Sequence, residues 1–272
     1  MKTVAVAAVL TLAGAASADI YHDDGYSQGV FPAQGPISIE SFAGARGGQV
    51  VYDASTQTGF RYNAGQAGTT TPADNLRTPY DDVPIPNAIL NGATSLDVCR
   101  VTVGIRRLTG APATDVSVYW STLTTMVMAP DTEIDLPSNL IGTVSLPAAA
   151  ATATELVSLG TSGGPTLFNV PLNSTLISGF GTFAIGMNLS STDPLNGWRI
   201  TNGPSANANV FWQHDPNHTG QANDEAAFLF SSANPPNPPA TFFIIVEGTP
   251  VPAPGAAALL GLGGLLAARR RR

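Results

Sequence analysis

The chain of 272 residues contains one cysteine, three histidines and a single lysine, Lys2. One thiol cannot form an internal disulfide, so a disulfide framework is excluded. Charge is also scarce, since only 11% of the residues are charged and 43% are hydrophobic. This composition excludes disorder of the whole chain and supplies a core for one large domain or two small ones.

Basic residues are few between the two ends of the chain. Of the 12 basic residues, Lys2 and the last four residues are terminal, and seven lie between them. All 19 acidic residues lie in the central segment, from Asp19 to Glu247, which gives this segment a formal charge of −12. Because such a surface repels phosphate backbones, we expect no nucleic-acid partner.

The first 18 residues have the three parts of a secretory signal peptide. Lys2 gives a positive start, residues 4–15 are apolar, and residues 16–18 are small. Small side chains before the cleavage point fit signal peptidase, so we expect cleavage between Ala18 and Asp19. The alternative is a buried N-terminal helix. The pattern predicts export, with signal peptidase as a partner.

The C-terminus joins a proline-rich breaker, residues 250–255, to an apolar run and a basic end. The 13 residues 256–268 are all alanine, leucine or glycine. A helix of that length is about 20 Å long, shorter than the ~30 Å hydrocarbon core, and would span with bilayer thinning and snorkelling cations. The alternative is a glycine-rich core helix. The basic end consists of Arg269, Arg270, Arg271 and Arg272.

Terminal arginines favour the cytoplasmic side, so this tail would tether an exported body outside the membrane. The motif before the apolar run is Val251, Pro252, Ala253 and Pro254. This tripartite layout resembles the PEP-CTERM sorting signal of exported Gram-negative bacterial proteins. The resemblance implies membrane retention and then processing near the motif by an exosortase, a membrane-embedded cysteine transpeptidase-like enzyme. Ala253 replaces the glutamate of the commonest Val-Pro-Glu-Pro form.

Between the ends, short runs of alternating apolar and polar residues are separated by glycine, proline, asparagine and aspartate. This pattern is typical of antiparallel β-structure, and helical periodicity is nearly absent. The clearest example is the run 183–190, with Phe183, Ile185 and Met187 on one face. The predicted strands are 49–52, 59–62, 97–105, 116–120, 141–146, 167–170, 183–190, 209–213, 227–230 and 242–246.

About ten strands without helical crossovers favour two packed antiparallel sheets, an all-β sandwich or jelly roll. The stretch from Tyr80-Asp81-Asp82-Val83 to Val101-Thr102-Val103 is similar to the jelly-roll ectodomains that precede such tails. We therefore predict a signal peptide (1–18), a β-sandwich ectodomain (19–249) and a sorting signal with a short transmembrane helix and arginine tail (250–272). A split into two domains near 148–164 or 191–204 stays open.

The sequence offers little for nucleophilic catalysis or zinc. Cys99 shares the odd-numbered positions of an apolar strand, which predicts a buried thiol and not a nucleophile. His214 and His218 have the four-residue spacing of a helical zinc pair, but Pro216 indicates a loop. We interpret these two and His22 as exposed loop residues. The G-x-S-x-G motif is absent, and we predict no enzyme.

Acidic residues occur as adjacent pairs at Asp23-Asp24, Asp81-Asp82 and Asp224-Glu225. Adjacent strand residues point to opposite faces, so none of these pairs is a ready-made acid and base of a glycosidase. Asp23, Asp24, Asp224 and Glu225, with Asn223, would form a calcium site if the first and last strands pair. The alternative is that the acids lie in solvated turns. We predict no cofactor, and calcium is the one ion that these residues would suit.

Aromatic residues offer a second kind of site. Trp198 and Trp212 are candidates for stacking on a sugar, and core packing explains them equally well. Alternation places Trp212 and Phe211 on opposite faces, so at most one of these two is exposed.

These observations leave three hypotheses. The first is an exported, non-enzymatic protein of the bacterial cell envelope or extracellular matrix, either tethered to the membrane or released after processing. The second is an extracellular carbohydrate-binding module, stabilised by calcium, whose partner is polysaccharide. The third is an extracellular hydrolase, which requires a cleft with two carboxylates roughly 5 to 10 Å apart.

Overall fold

The structure is a computed structural model, and it describes residues 20–22, 48–55, 57–62, 78–122, 139–191, 193, 195–201, 210–214, 226–229 and 241–252. These residues form fifteen strands and one helical turn, α1 (Asn87–Leu90). In chain order the strands are β1 (Ile20–His22), β2 (Gln49–Asp53), β3 (Gln57–Tyr62), β4 (Thr78–Pro86), β5 (Ala93–Arg107), β6 (Thr114–Ser121), β7 (Asn139–Leu146), β8 (Ala153–Gly160), β9 (Phe168–Pro171), β10 (Phe180–Leu189), β11 (Asn196–Thr201), β12 (Val210–His214), β13 (Ala226–Leu229), β14 (Thr241–Phe242) and β15 (Ile244–Pro252).

The strands pair into two antiparallel sheets. Sheet A has the order β1-β3-β11-β5-β15-β2, with β14 beside β11 and with β8 and β9 beside β5. Sheet B has the order β13-β12-β4-β10-β6-β7. Buried side chains from both sheets form one hydrophobic cluster between them. The described residues therefore fold as an all-β sandwich, which confirms the predicted class.

Alternation along the sequence produces the core face of sheet B. In β10 the side chains of Phe183, Ile185 and Met187 are buried in the central cluster, as predicted. The neighbouring strand β6 adds Val118, which pairs with Met187. Alternation in the predicted strand 116–120 places Trp120 on the same face as Val118, but Trp120 is only partly buried and packs against the cluster.

Strand β5 is the longest strand, and it pairs along both of its edges. One edge carries β8 and β9, and the other carries β15 and β11. Its core side chains change parity along the strand, from even numbers before residue 99 to odd numbers after it. They are Leu96, Val98, Val101, Val103 and Ile105.

This change of parity occurs at a β-bulge in which Cys99 is the extra residue. Residues 98 and 100 pair with two consecutive residues of β15, Gly248 and Glu247. Cys99 is buried and free, as predicted. However, its thiol does not join the core cluster with Val101, because the bulge turns it toward Gly48 and the carbonyl of Glu247, 3.5 Å away.

The apolar segment predicted as one strand, residues 242–246, is divided at Phe243. β14 pairs with β11, β15 pairs with β5, and Phe243 lies between them. Its carbonyl accepts hydrogen bonds from the N–H of Gly104 and from the indole of Trp198, each at 3.2 Å. Every side chain of the segment is buried, as its continuous apolar sequence predicts.

Three strands form where the sequence predicts turns or domain boundaries. β8 and β11 lie in the two segments left open as boundaries, and both pair with β5. β4 is not predicted, because it contains Pro79, Pro84 and Pro86. β12 pairs only with residues 78–81 and β10 only with residues 80–86, so each proline has a neighbouring strand on one side alone. Proline is tolerated at these positions because its nitrogen, which has no hydrogen to donate, can face the unpaired side of the strand.

Candidate functional site

The calcium candidates Asp23, Asp24, Asp224 and Glu225 lie outside the described residues, as does Asn223. Their convergence was expected where the first and last strands pair. Instead, β1 pairs with β3, and β15 pairs with β2 and β5. Within the described part of the chain, no three His, Cys, Asp or Glu side chains are grouped as metal ligands.

The predicted cleavage site, Ala18 and Asp19, also lies outside the described residues. So do Ala253 and Pro254 of the motif and the arginines 269–272. Among the helices of the described segments, none has both the length and the apolar character needed to cross a bilayer.

Trp198, one of the two candidates for sugar stacking, has no exposed surface. It packs in the central cluster with Ile200 and Phe242. A sugar needs an exposed ring face, so Trp198 is a core residue and the stacking role predicted for it is wrong.

Only the backbone of Trp212 is described, and it lies in β12, opposite Tyr80 of β4 and Ala227 of β13. Its sugar-binding role stays a prediction. Two of the histidines interpreted as loop residues belong to strands: His22 ends β1 and His214 ends β12. His218 lies outside the described residues.

The acidic pair Asp81-Asp82 is completely buried in β4, which corrects the interpretation of this pair as solvated turn acids. Asp81 has the parity of the core residues Val83 and Ile85, and Asp82 has the opposite parity. Alternation predicts that the two carboxyl groups face apart, but the side chain of Asp82 forms a hydrogen bond with that of Asp81. Both carboxyl groups are completely buried, so neither faces an exposed site. The same alternation was the signal that Asp81 faces the core.

Asp81 connects the two sheets. Its carboxylate accepts a hydrogen bond from the N–H of Phe242 at 2.7 Å and another from the hydroxyl of Thr241, both in β14 of sheet A. The N–H of Asp82 donates to the same carboxylate at 2.9 Å. Burial raises the pKa of Asp81 to about 7, although these hydrogen bonds act in the opposite direction. All of these contacts are internal, so Asp81 is a structural acid.

Arg107 forms a second buried polar cluster, at the end of β5. Its Nε donates to Oδ1 of Asn196 at 2.9 Å, and its Nη2 donates to the carbonyl of Pro112 at 2.8 Å. Its Nη1 lies 3.3 Å from both carboxylate oxygens of Glu155. The guanidinium thus joins β5, β8, β11 and the 108–113 connection, and its donors are used internally.

The part of the predicted sorting motif that the structure describes lies at the end of β15, in residues 249–252, which we call the motif strand. It contains Val251 and Pro252 of the sorting motif. The sequence predicts that the prolines break the chain here, but the strand continues through them. The pairs with β5 are Thr249 with Asp97, Pro250 with Leu96, Val251 with Ser95, and Pro252 with Ala93.

Pairing continues through Pro250 and Pro252 because the other edge of the motif strand is open. β2 pairs with β15 only up to Gly248, and no strand of the described chain pairs with that edge beyond it. Proline has no N–H, so both ring nitrogens are tolerated on the side away from β5. Pro250 and Val251 are half-buried, while Thr249 and Pro252 are exposed.

The part of β5 that pairs with the motif strand is held by side-chain contacts on both of its edges. Just before this strand, the carboxylate of Glu247 forms an ion pair with Arg100 of β5, and Glu247 is only 1% exposed. On the far edge of β5, the side-chain amide of Asn169 in β9 donates to Asp97 at 2.8 Å. The ion pair holds β15 in register with β5, and the contact with β9 holds β5 from its other edge.

No family model matches the chain, and neither a curated protein nor a solved structure matches it.

Proposed function

We propose that the protein is an exported, non-enzymatic protein of the bacterial cell envelope or extracellular matrix, sorted through its C-terminal signal. In this proposal a signal peptide directs export and a jelly-roll-like sandwich forms the displayed body. The apolar run 256–268 inserts in the membrane as a helix, and an exosortase-like enzyme then processes the chain near the motif.

The observation that supports the proposal is the position of the motif strand. The last described strand ends at Pro252, and the apolar run begins four residues later, at Ala256. The described strands build a hydrophobic cluster between the two sheets, and β15 contributes to it. The 13 apolar residues of the run, followed by four arginines, suit a membrane.

The other two hypotheses have less support. The carbohydrate-binding hypothesis has lost Trp198 and depends on Trp212 alone. The hydrolase hypothesis needs two carboxylates facing one open cleft, whereas Asp81 and Asp82 are both completely buried. We therefore advance neither.

The test of the anchor is fractionation of the chain in a Gram-negative host that lacks the exosortase, because there the tail is not removed. Deleting residues 255–272 should move the protein from the membrane fraction to the soluble fraction. A finer variant is Leu262→Asp, because a carboxylate at the centre of the apolar run costs about 2.5–3.5 kcal/mol of insertion free energy. Leu262→Ala is the matched control and should stay membrane-associated. If the truncated protein still fractionates with membranes, the anchor proposal is wrong.

The processing step is tested separately, by determining the C-terminus of the mature protein. Mass spectrometry of the mature protein should find a C-terminus near residues 251–254 in the exosortase-positive host and an intact tail in a host from which the enzyme has been deleted. Finding the intact tail in both hosts would overturn the processing step.

A further inference from the structure

We infer that the folded sandwich shelters the first half of its own sorting motif, so that residues 249–252 must detach from β5 before the chain is processed. This inference rests on the proposed function. It concerns the control of processing, which the sequence resemblance does not address.

The first argument is the pairing itself. Val251 pairs with Ser95 and Pro252 with Ala93, so one backbone edge of the motif's first two residues is occupied by β5. The side chain of Val251 is half-buried. A processing enzyme that binds an extended peptide through its main chain would compete with β5 for the same N–H and C=O groups.

The second argument is the chemistry of the open edge. An enzyme could in principle add its own strand there and leave β5 in place. However, Pro250 and Pro252 occupy alternate positions, and their ring nitrogens carry no hydrogen to donate. Proline on an edge strand is a common protection against added strands. Main-chain recognition of the motif is therefore blocked on both edges while the strand is paired.

The third argument is that opening the motif strand requires only a local change, the loss of its own pairs with β5. The ion pair between Arg100 and Glu247 holds β15 just before the motif strand. After Gly248 the strand loses its neighbour β2, and exposure rises at Thr249. The motif strand can thus open without disturbing the strand that precedes it, as chain ends with few buried contacts do.

The experiment moves the motif away from the sheet without changing its sequence. Six residues, Gly-Ser-Gly-Ser-Gly-Ser, are inserted between Gly248 and Thr249, and the processed fraction is followed by pulse-chase in the exosortase-positive host. The matched control carries the same insertion after Ser162, in the exposed turn between β8 and β9. We expect processing to be at least tenfold faster in the first variant and unchanged in the control.

Amide hydrogen exchange on the purified wild-type body, truncated after residue 254, measures the protection of the motif strand by β5 without the enzyme. The N–H of Val251 should be protected at least tenfold relative to an unstructured peptide, and the insertion should abolish that protection. Equal processing rates in the two insertion variants, or an unprotected Val251, would overturn the inference. If instead no variant is processed although Val251 is protected, the proposed sorting function fails and the shelter itself does not.

Discussion

The indole of Trp198 lies flat against the ring of Phe242, with ring centroids 4.1 Å apart and planes 4° from parallel. The indole N–H donates to the carbonyl of Phe243 at 3.2 Å. The contact is made where β14 ends and β15 begins. Trp198 of β11 therefore holds the chain at the point where its partner strand changes from β11 to β5.

Replacing Trp198 should therefore destabilise the whole sandwich. We expect Trp198→Ala to lower the free energy of unfolding by about 3–5 kcal/mol, because it leaves a large cavity in the core. Trp198→Phe keeps an aromatic ring but loses the hydrogen bond, and should cost less. Urea denaturation measures both. Trp120→Ala is the control, since Trp120 stacks on Phe168 but is only partly buried. Equal losses for Trp198→Ala and Trp120→Ala would contradict the central role of Trp198.

Stability should fall as pH rises through neutrality, because of Asp81. Its pKa is 3.8 in the unfolded chain and about 7 in the folded one, so the folded state binds the proton more tightly. The stabilisation is complete below pH 3.8 and is lost as pH rises through about 7. The difference amounts to at most about 4 kcal/mol. Urea denaturation at pH 5 and pH 8 measures the part of it that falls in this interval, about 2.5–3 kcal/mol. In Asp81→Asn the difference should largely disappear, and an unchanged pH profile in that variant would refute the assignment.

Two glycines with nearly the same backbone angle separate steric clash from backbone strain. Gly160 and Gly110 have φ of 81° and 85°. A Cβ at Gly160 would lie 2.1 Å from the carbonyl oxygen of Cys99, whereas nothing lies within 4 Å at Gly110. Gly110→Ala should cost about 1–2 kcal/mol from the left-handed backbone alone. Gly160→Ala should cost about 1–3 kcal/mol more in thermal or urea unfolding. Equal losses would mean that β5 yields to the clash.

Arg107 and Glu155 should contribute unequally although they contact each other. Arg107→Leu removes the donor of Asn196 Oδ1 and leaves the carbonyl of Pro112 with only the 3.4 Å contact from the Asn196 amide, and we expect a loss of about 3–5 kcal/mol. Glu155→Gln should cost less than about 1 kcal/mol, because Glu155 is 33% exposed. Urea unfolding of both variants checks this, and a larger effect of Glu155→Gln would show that the ion pair dominates.

The motif strand should stabilise the body. A chain that ends at Pro252 keeps all four pairs with β5, whereas a chain that ends at Gly248 loses them and uncovers Leu96. We expect the shorter chain to be about 2 kcal/mol less stable, from the lost hydrogen bonds alone. Differential scanning calorimetry compares the two chains. Equal melting temperatures would show that the motif strand is not part of the cooperative fold.

Alternation in the sequence was enough to predict the strands whose core residues are apolar at every second position. Phe183, Ile185 and Met187 of β10 are the clearest case. It failed for β4 because its prolines and acids are typical of turns. Their tolerance depends on which neighbouring strand is paired at each position, and Asp81 is buried only because Thr241 and Phe242 reach it from the other sheet. Such long-range pairing cannot be inferred from one local segment.

The sequence identified the residues of the candidate site, but it did not predict that they form a strand. Residues 250–255 have the prolines of a chain break, and Val251 and Pro252 nevertheless continue a strand. The reason is again tertiary: β2 stops pairing at Gly248, which leaves an edge on which a proline costs no hydrogen bond. The bulge at Cys99 did leave a signal in the sequence, because the apolar positions change there from the even-numbered Leu96 and Val98 to the odd-numbered Val101 and Val103.

The position of β15 has a consequence for how the molecule is made. It lies between β5 and β2, so the last of the described strands fills an interior position of sheet A, and β2 has no other strand partner in the described sheet. Pairing between residues so far apart in the sequence closes long loops and is intrinsically slow. While the polypeptide emerges from the ribosome, sheet A therefore lacks an inner member until residues 244–252 have left the exit tunnel. Until then, the part of β5 that pairs with β15 is an open edge.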